Sequence, residues 1–238
     1  MRFGDTQIHV DPGPGALVRA LNHVPPCNPR ELDAIVLSHK HLDHASDVNA
    51  LVEAMTSGGF RRRGTVLAPP DAVEGDPVVL PYAQRYVERI ERLHPSSGPY
   101  RVGGIEIFTS MQHVHAVQTQ GLHFFYEDLR VAYLPCGRYF EGLGADYARR
   151  QPDVLVINVL RYRDELDVDH LTWFHARDIV AEIRPKVVVF QHFGTKMLEA
   201  DPPALAQQLE DELGIRAIAA YDGLRLDLET VVAPAARG

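Results

Sequence analysis

The chain has 238 residues, of which 45% are apolar and 24% charged, the profile of a globular protein able to bury a sizeable core. Its formal net charge of −8 weighs against non-specific binding to a nucleic-acid backbone, since the long-range field repels phosphates. No apolar run approaches the roughly 18–20 residues that cross a bilayer, "MRFGDTQIHV" carries no secretory signal, and Cys27 and Cys136 make no disulfide framework, so no membrane partner and a cytoplasmic location are expected.

Taken in chain order, "TQIHV", "AIVLS" and "TVLAP" read as strands, with "ASDVNALVEAMTSGG" as a helix closed by glycine before the third. Arg61, Arg62 and Arg63 form the one basic cluster, read as a solvated loop in preference to an anion contact. "PYAQRYVERIERL", residues 81–93, has helical spacing with charged faces. "GIEIFT", "GLHFFY", "RVAYL" and "VLVINV" then read as strands, "WFHARDIVAEIR" as a helix, and "KVVVFQ" as a further strand. "PALAQQLEDELG" reads as a helix, followed by strands "IRAIAAY" and "LRLDLET" around a hairpin turn at Asp222-Gly223. With no repeat, low-complexity tract or linker, one domain over 1–238 is expected, its sheets covered by helices and its strand-end loops free to carry chemistry.

Seven of the twelve histidines fall in four places, each behind an apolar strand-like run: 39, 41 and 44; 113 and 115; 170; and 192. Strand ends on neighbouring strands share one rim of a sheet, so these places are candidates for a single site. In "IVLSHKHLDHASD", His39 and His41 lie two apart and point to the same side of an extended segment. Asp43 and His44 follow where the chain begins to wind into a helix. Imidazoles and a carboxylate are ligands that zinc, iron and manganese accept, so this cluster predicts metal binding.

"SHKHLDH", with "HVDPGPG" upstream, resembles the metallo-β-lactamase superfamily of metal-dependent hydrolases, and the resemblance extends through "DHLTWFHARDIV" to "VVVFQHFGTKM". Order and spacing look most like its ribonuclease Z and phosphodiesterase side. The resemblance implies an α+β fold, the αββα four-layer sandwich, with metal along one edge. It implies that His39, His41 and a third histidine hold a first metal. His115 is favoured over His113, because "HAVQTQGL" has the His-to-Gly spacing of that subgroup. Asp43, His44 and His192 would hold a second metal. His170, in "DHLT", would contact the scissile group and donate a proton to the leaving oxygen, with Asp169 orienting the ring or supporting its charge. Asp43 is counted with His170 among the catalytic residues. Asp11 in "DPGPG" is a candidate to steady a ligand imidazole.

One position departs from the resemblance. Most members carry a metal-bridging aspartate after the strand equivalent to "RVAYLP", and here the residue is Cys136. A thiolate there would make the site zinc-selective; alternatively a single ion is held, the usual chemistry is lost, or a thiol simply packs. The chain also begins only ten residues before "DPGPG", so the sheet edge is either trimmed or completed by a second copy, making a homodimer a candidate. The expected activity is hydrolysis, by metal-activated water, of a phosphodiester or related small ester, with one or two zinc ions, or manganese or iron. The alternatives are a lactone or thioester hydrolase and a metal-binding protein of degenerate catalysis. A small-molecule substrate is expected, and nucleic acid is disfavoured.

Overall fold

The computed structural model describes residues 1–163 and 167–232. They divide into two compact units, Met1–Gln112 with Ala116–Gln120, and His113–His115 with Gly121 onward.

In the first unit the strands β1 (Arg2–Phe3), β2 (Thr6–Val10), β3 (Ala34–Val36), β4 (Thr65–Ala68) and β5 (Arg89–Arg92) lie in that order in one sheet. β1 runs antiparallel to β2, and the rest are parallel. Between them lie α1 (Ala16–Asn22), α2 (Leu42–Ala45), α3 (Val48–Thr56), α4 (Pro70–Val73) and α5 (Pro81–Gln84). Parallel strands are covered on their faces and read as continuous apolar runs. Ala34, Ile35 and Val36 of β3 accordingly have no exposed surface, and Ile35 packs in a cluster with Val48, Leu51, Val52 and Met55 of α3. The antiparallel pair β6 (Tyr100–Val102) and β7 (Ile105–Gln112) completes this unit.

In the second unit β8 (Gln120–Tyr126) runs antiparallel to β9 (Leu129–Leu134), which is followed by α6 (Leu143–Ala148). β10 (Val154–Asn158), β11 (Val187–Gln191) and β12 (Arg216–Ala219) then lie parallel beside β9 in the order β9-β10-β11-β12. The helices α7 (Trp173–Ile183), α8 (Thr195–Glu199), α9 (Pro202–Leu213) and α10 (Leu228–Val232) connect and follow these strands. α7 starts at Thr172, whose Oγ1 accepts from the backbone N of His175 while His175 Nδ1 accepts from the backbone N of Thr172. His175 is therefore a helix-start residue, as its place in the first turn predicts. Trp173, Ala176, Ile179, Val180 and Ile183 then fall on one buried face, and burial of each large apolar side chain among them contributes about 1.5–3 kcal/mol.

Two expected elements differ. Residues 81–93 are not one helix: α5 ends at Gln84, and Arg89–Arg92 pairs with β4 at the sheet edge. Arg89 and Glu91, two apart on one face, form an ion pair at 3.0 Å, a charged ladder suited to a solvated edge strand. Residues 224–230 are likewise not a strand. The Asp227 carbonyl accepts from the backbone N of Val231 at 2.9 Å, and its Oδ1 from that of Thr230 at 3.4 Å, starting α10, so Asp222-Gly223 closes no hairpin. Among the described residues, no helix is long and apolar enough to cross a membrane.

Candidate metal centre

In the first unit the histidine-bearing segment leaves the fully buried β3 through a bend at Ser38 and reaches His41, extended in its backbone, where α2 begins. The rings of His39 and His41 meet edge-on, with centroids 5.0 Å apart. The start of α2 brings His44 back, its ring 4.1 Å from that of His39. A ligand atom of His39 lies within 4.8 Å of one on His41 and of one on His44, as do those of Asp43 and His44. The structure thus gathers the four residues of the first cluster.

Asp11 sets their chemistry. Its Oδ1 accepts from the backbone N of Ser38 at 2.7 Å, and its Oδ2 from Ser38 Oγ at 2.5 Å and His44 Nδ1 at 2.8 Å. A carboxylate only accepts, so His44 carries its proton on Nδ1. The Ser38 hydroxyl proton goes to Asp11, so Ser38 Oγ accepts from His39 Nδ1, 3.0 Å away. Both imidazoles thus carry a proton on Nδ1, which leaves Nε2 as the nitrogen placed to meet an ion, and His44 Nε2 stands 3.5 Å from Asp43 Oδ2, the other candidate ligand beside it. The donor set and its tautomers fit a divalent ion. Asp11 sits at φ 47°, a left-handed conformation that costs a non-glycine residue about 1–3 kcal/mol and persists because these contacts hold it. The adjoining turn is clamped against the ligand helix: a Cβ on Gly13 would lie 2.0 Å from the Asp43 carbonyl oxygen, and Pro12 O accepts from the backbone N of Asp47 at 3.0 Å.

In the second unit the adjacent parallel strands β9, β10 and β11 end together, so the residues at and beyond their ends share one rim. Cys136, 2% exposed, follows β9, and its Sγ lies 3.7 Å from His192 Nε2, just beyond β11. His192 is at φ 64°, a second left-handed non-glycine residue among the expected ligands and their supports. His113 is buried, with Nδ1 3.1 Å from the Cys136 carbonyl oxygen and Nε2 3.1 Å from Tyr147 Oη. Burial pushes its pKa down to about 4. Protein groups thus engage both of its ring nitrogens, whereas His115 is half-buried, its ring edge-on to that of His170 at 5.4 Å.

His170 also stacks on His192 at 6.0 Å, and its Nδ1 is buried with no hydrogen-bond partner. Its loop is fixed through the backbone: Arg161 Nη2 donates to the carbonyls of Val168 at 3.2 Å and His170 at 2.9 Å. Asp169 does not orient the His170 ring as expected. Its Oδ1 accepts from Arg138 Nε at 2.9 Å, and Arg138 also pairs with Asp167 at 2.6 Å. The 61–63 basic cluster lies at the opposite end of the first-unit strands from His39–His44. There Arg61 and Arg63 line a cavity of about 460 Å³ with Arg2, Arg30, Asp5, Glu31 and Asp33.

Ser38, Asn158, Gln191 and Arg161 were not picked out from the sequence. Three of them share a signal, a polar residue closing an otherwise apolar strand run.

Residues 6–193 match the beta-lactamase superfamily domain family. The chain is 30% identical over 237 residues to the uncharacterized protein MJ1374 of Methanocaldococcus jannaschii, covering 94% of this chain and 84% of that protein. A stretch of 66 residues is 38% identical to the probable metallo-hydrolase YhfI of Bacillus subtilis, covering 28% of this chain and 26% of that one. The crystal structure of YhfI has the same fold, with TM-score 0.76 at 20% identity over 94% of this chain and 88% of that one. A diphosphatase of the PhnP family is similar too, with TM-score 0.66 at 22% identity over 95% and 81%. The two sheets with their helices have the fold that the first motif implied, and the chain belongs to the metallo-β-lactamase superfamily of metal-dependent hydrolases.

Proposed function

We propose that this protein hydrolyses a phosphodiester or related small ester at a two-ion zinc centre. His39, His41 and His115 would hold one ion, and Asp43, His44 and His192 the other, with Cys136 serving in place of the family's bridging carboxylate. Manganese or iron are the other ions this donor set accepts. The observation that supports the reading is the Asp11–Ser38 clamp, which engages Nδ1 of both His39 and His44 and so turns their Nε2 atoms towards the candidate site. When bound there, such ions would supply a water nucleophile near neutral pH and Lewis-acid polarisation of the scissile oxygen.

The chain's own residues supply the rest. His170, on a loop pinned by Arg161 and Arg138, is the candidate to donate a proton to the leaving oxygen. Its backbone anchoring leaves the imidazole as the group that meets a small-molecule substrate. His113, kept neutral by burial, supports the Cys136 loop through that residue's carbonyl.

Zinc-replete protein assayed on bis(p-nitrophenyl) phosphate, a lactone and a thioester tests this. The diester is expected to turn over, and His170→Ala to lower kcat by about 10²-fold or more at unchanged metal content. Cleavage of only the lactone or thioester would replace the substrate class, and no cleavage of any of the three would overturn the hydrolase reading.

A further inference from the structure

Cys136, Asn158 and Gln191 lie at the ends of three adjacent strands, and Asn158 stands in register with Gln191 across the β10–β11 ladder. Gln191 Nε2 donates to Asn158 Oδ1 at 3.0 Å. With its oxygen engaged there, the Asn158 amide turns Nδ2 the other way. That nitrogen donates to Cys136 Sγ at 3.5 Å and to Tyr133 Oη at 3.2 Å, using both of its protons. Asn158 and Cys136 are each only 2% exposed, so water does not mask the polarity of this contact.

We propose that Asn158, locked in one orientation by Gln191, is the positioning residue that makes Cys136 a metal ligand; this rests on the ligand role given to Cys136 above. A carboxylate has two oxygens, so it can accept a supporting hydrogen bond on one and offer the other to an ion. Cysteine has one sulfur on a single rotatable bond, and the same atom must do both. An N–H donor fixed in space pins the sulfur's direction and is complementary to its anionic, metal-binding form. Gln191 never touches the sulfur. It decides which end of the Asn158 amide does. The replacement of a bridging carboxylate by cysteine is thus matched by a polar pair at the ends of the two neighbouring strands.

Cobalt(II) binding to metal-free protein reads this directly, because a bound thiolate gives a sulfur-to-cobalt charge-transfer band in the near ultraviolet that histidine ligands do not. The wild type is expected to show the band and Cys136→Ala to lack it. Asn158→Leu removes the donor at similar size. Gln191→Glu keeps the shape but presents only acceptors, which turns Asn158 round and sets its oxygen against the sulfur. Both are expected to lose more than half of the band and to release zinc to a chelator about 10-fold faster or more. In a Cys136→Ala background the same two substitutions should leave zinc release nearly unchanged. A band of full intensity in both variants, or equal acceleration of release in the Cys136→Ala background, would overturn the positioning role. A wild-type protein that binds cobalt without the band would remove the ligand role of Cys136 itself, and this inference with it.

Discussion

Asp11→Ala is expected to abolish hydrolysis and weaken zinc binding by about 10–100-fold, although Asp11 is a support for the proposed ligands and not one of them. One carboxylate accepts from Ser38 N, Ser38 Oγ and His44 Nδ1, so its removal strands three donors, most of them buried. Each stranded donor costs about 1–3 kcal/mol, so a loss of about 3 kcal/mol or more in stability should accompany the metal defect. For a chain of this size that lowers Tm by about 6–12 °C. The effect on metal has a separate cause. Without Asp11, the Ser38 hydroxyl is no longer committed as a donor to the carboxylate, and His44 can carry its proton on either nitrogen. Asp11→Asn separates the two contributions: it keeps the shape and one acceptor oxygen, so stability should recover more than zinc affinity does. Calorimetric unfolding beside zinc titration of each variant checks both parts, and wild-type zinc affinity in Asp11→Ala would contradict them.

The second large effect concerns a residue with no role in the site. His123 lies in β8, 1% exposed, its ring 4.9 Å from that of Tyr147, and neither ring nitrogen has a hydrogen-bond partner. Burial drives its pKa down to about 3, with the Arg150 charge and His113 adding to the shift. The unfolded chain then binds a proton that the folded chain refuses, from the ordinary histidine pKa near 6.5 down to about 3. Stability is therefore lost as pH falls through 6.5, at about 1.4 kcal/mol per unit, or about 2 kcal/mol by pH 5 from this residue alone. His123→Leu, close in volume, removes both the buried polar atoms and the titration. It is expected to raise stability at pH 7.5 by about 1–3 kcal/mol and to flatten the decline towards pH 5 by about 2 kcal/mol. Thermal unfolding at the two pH values checks this. Equal declines in wild type and variant would contradict it.

Much of the fold was readable because the parallel strands are apolar throughout and the main helices carry their own stops. Gly214, which ends "PALAQQLEDELG", does close α9, and the structure adds the starts, with Thr172 capping α7 and Asp201 capping α9. Residues 81–93 misled because Val87, Ile90 and Leu93 recur every third residue, as in a helix. The charged residues between them instead form the ladder of an edge strand, a tertiary choice that periodicity does not encode. In 224–230 the alternating leucines suggested a strand, but Asp227 offered a helix start that prevailed. The candidate ligands of the first unit were legible because they crowd into six positions of one segment. Asp11 was legible as a support for one of these imidazoles and does meet His44, but its partner Ser38 was not, since the two are 27 residues apart and meet only once β2 and β3 pair in parallel. Asn158 and Gln191 are not legible in the sequence for a related reason, since one polar residue at the end of an apolar strand gains its meaning only from the residue standing beside it in the sheet.

Whether these donors hold metal, with Cys136 among them, is read from the metal content of protein purified without added metal, by inductively coupled plasma mass spectrometry, with Cys136→Ala in parallel. About two ions per chain are expected, falling towards one in the variant. One ion or none in both proteins, unchanged by the substitution, would rule out a two-ion centre with Cys136 as a ligand.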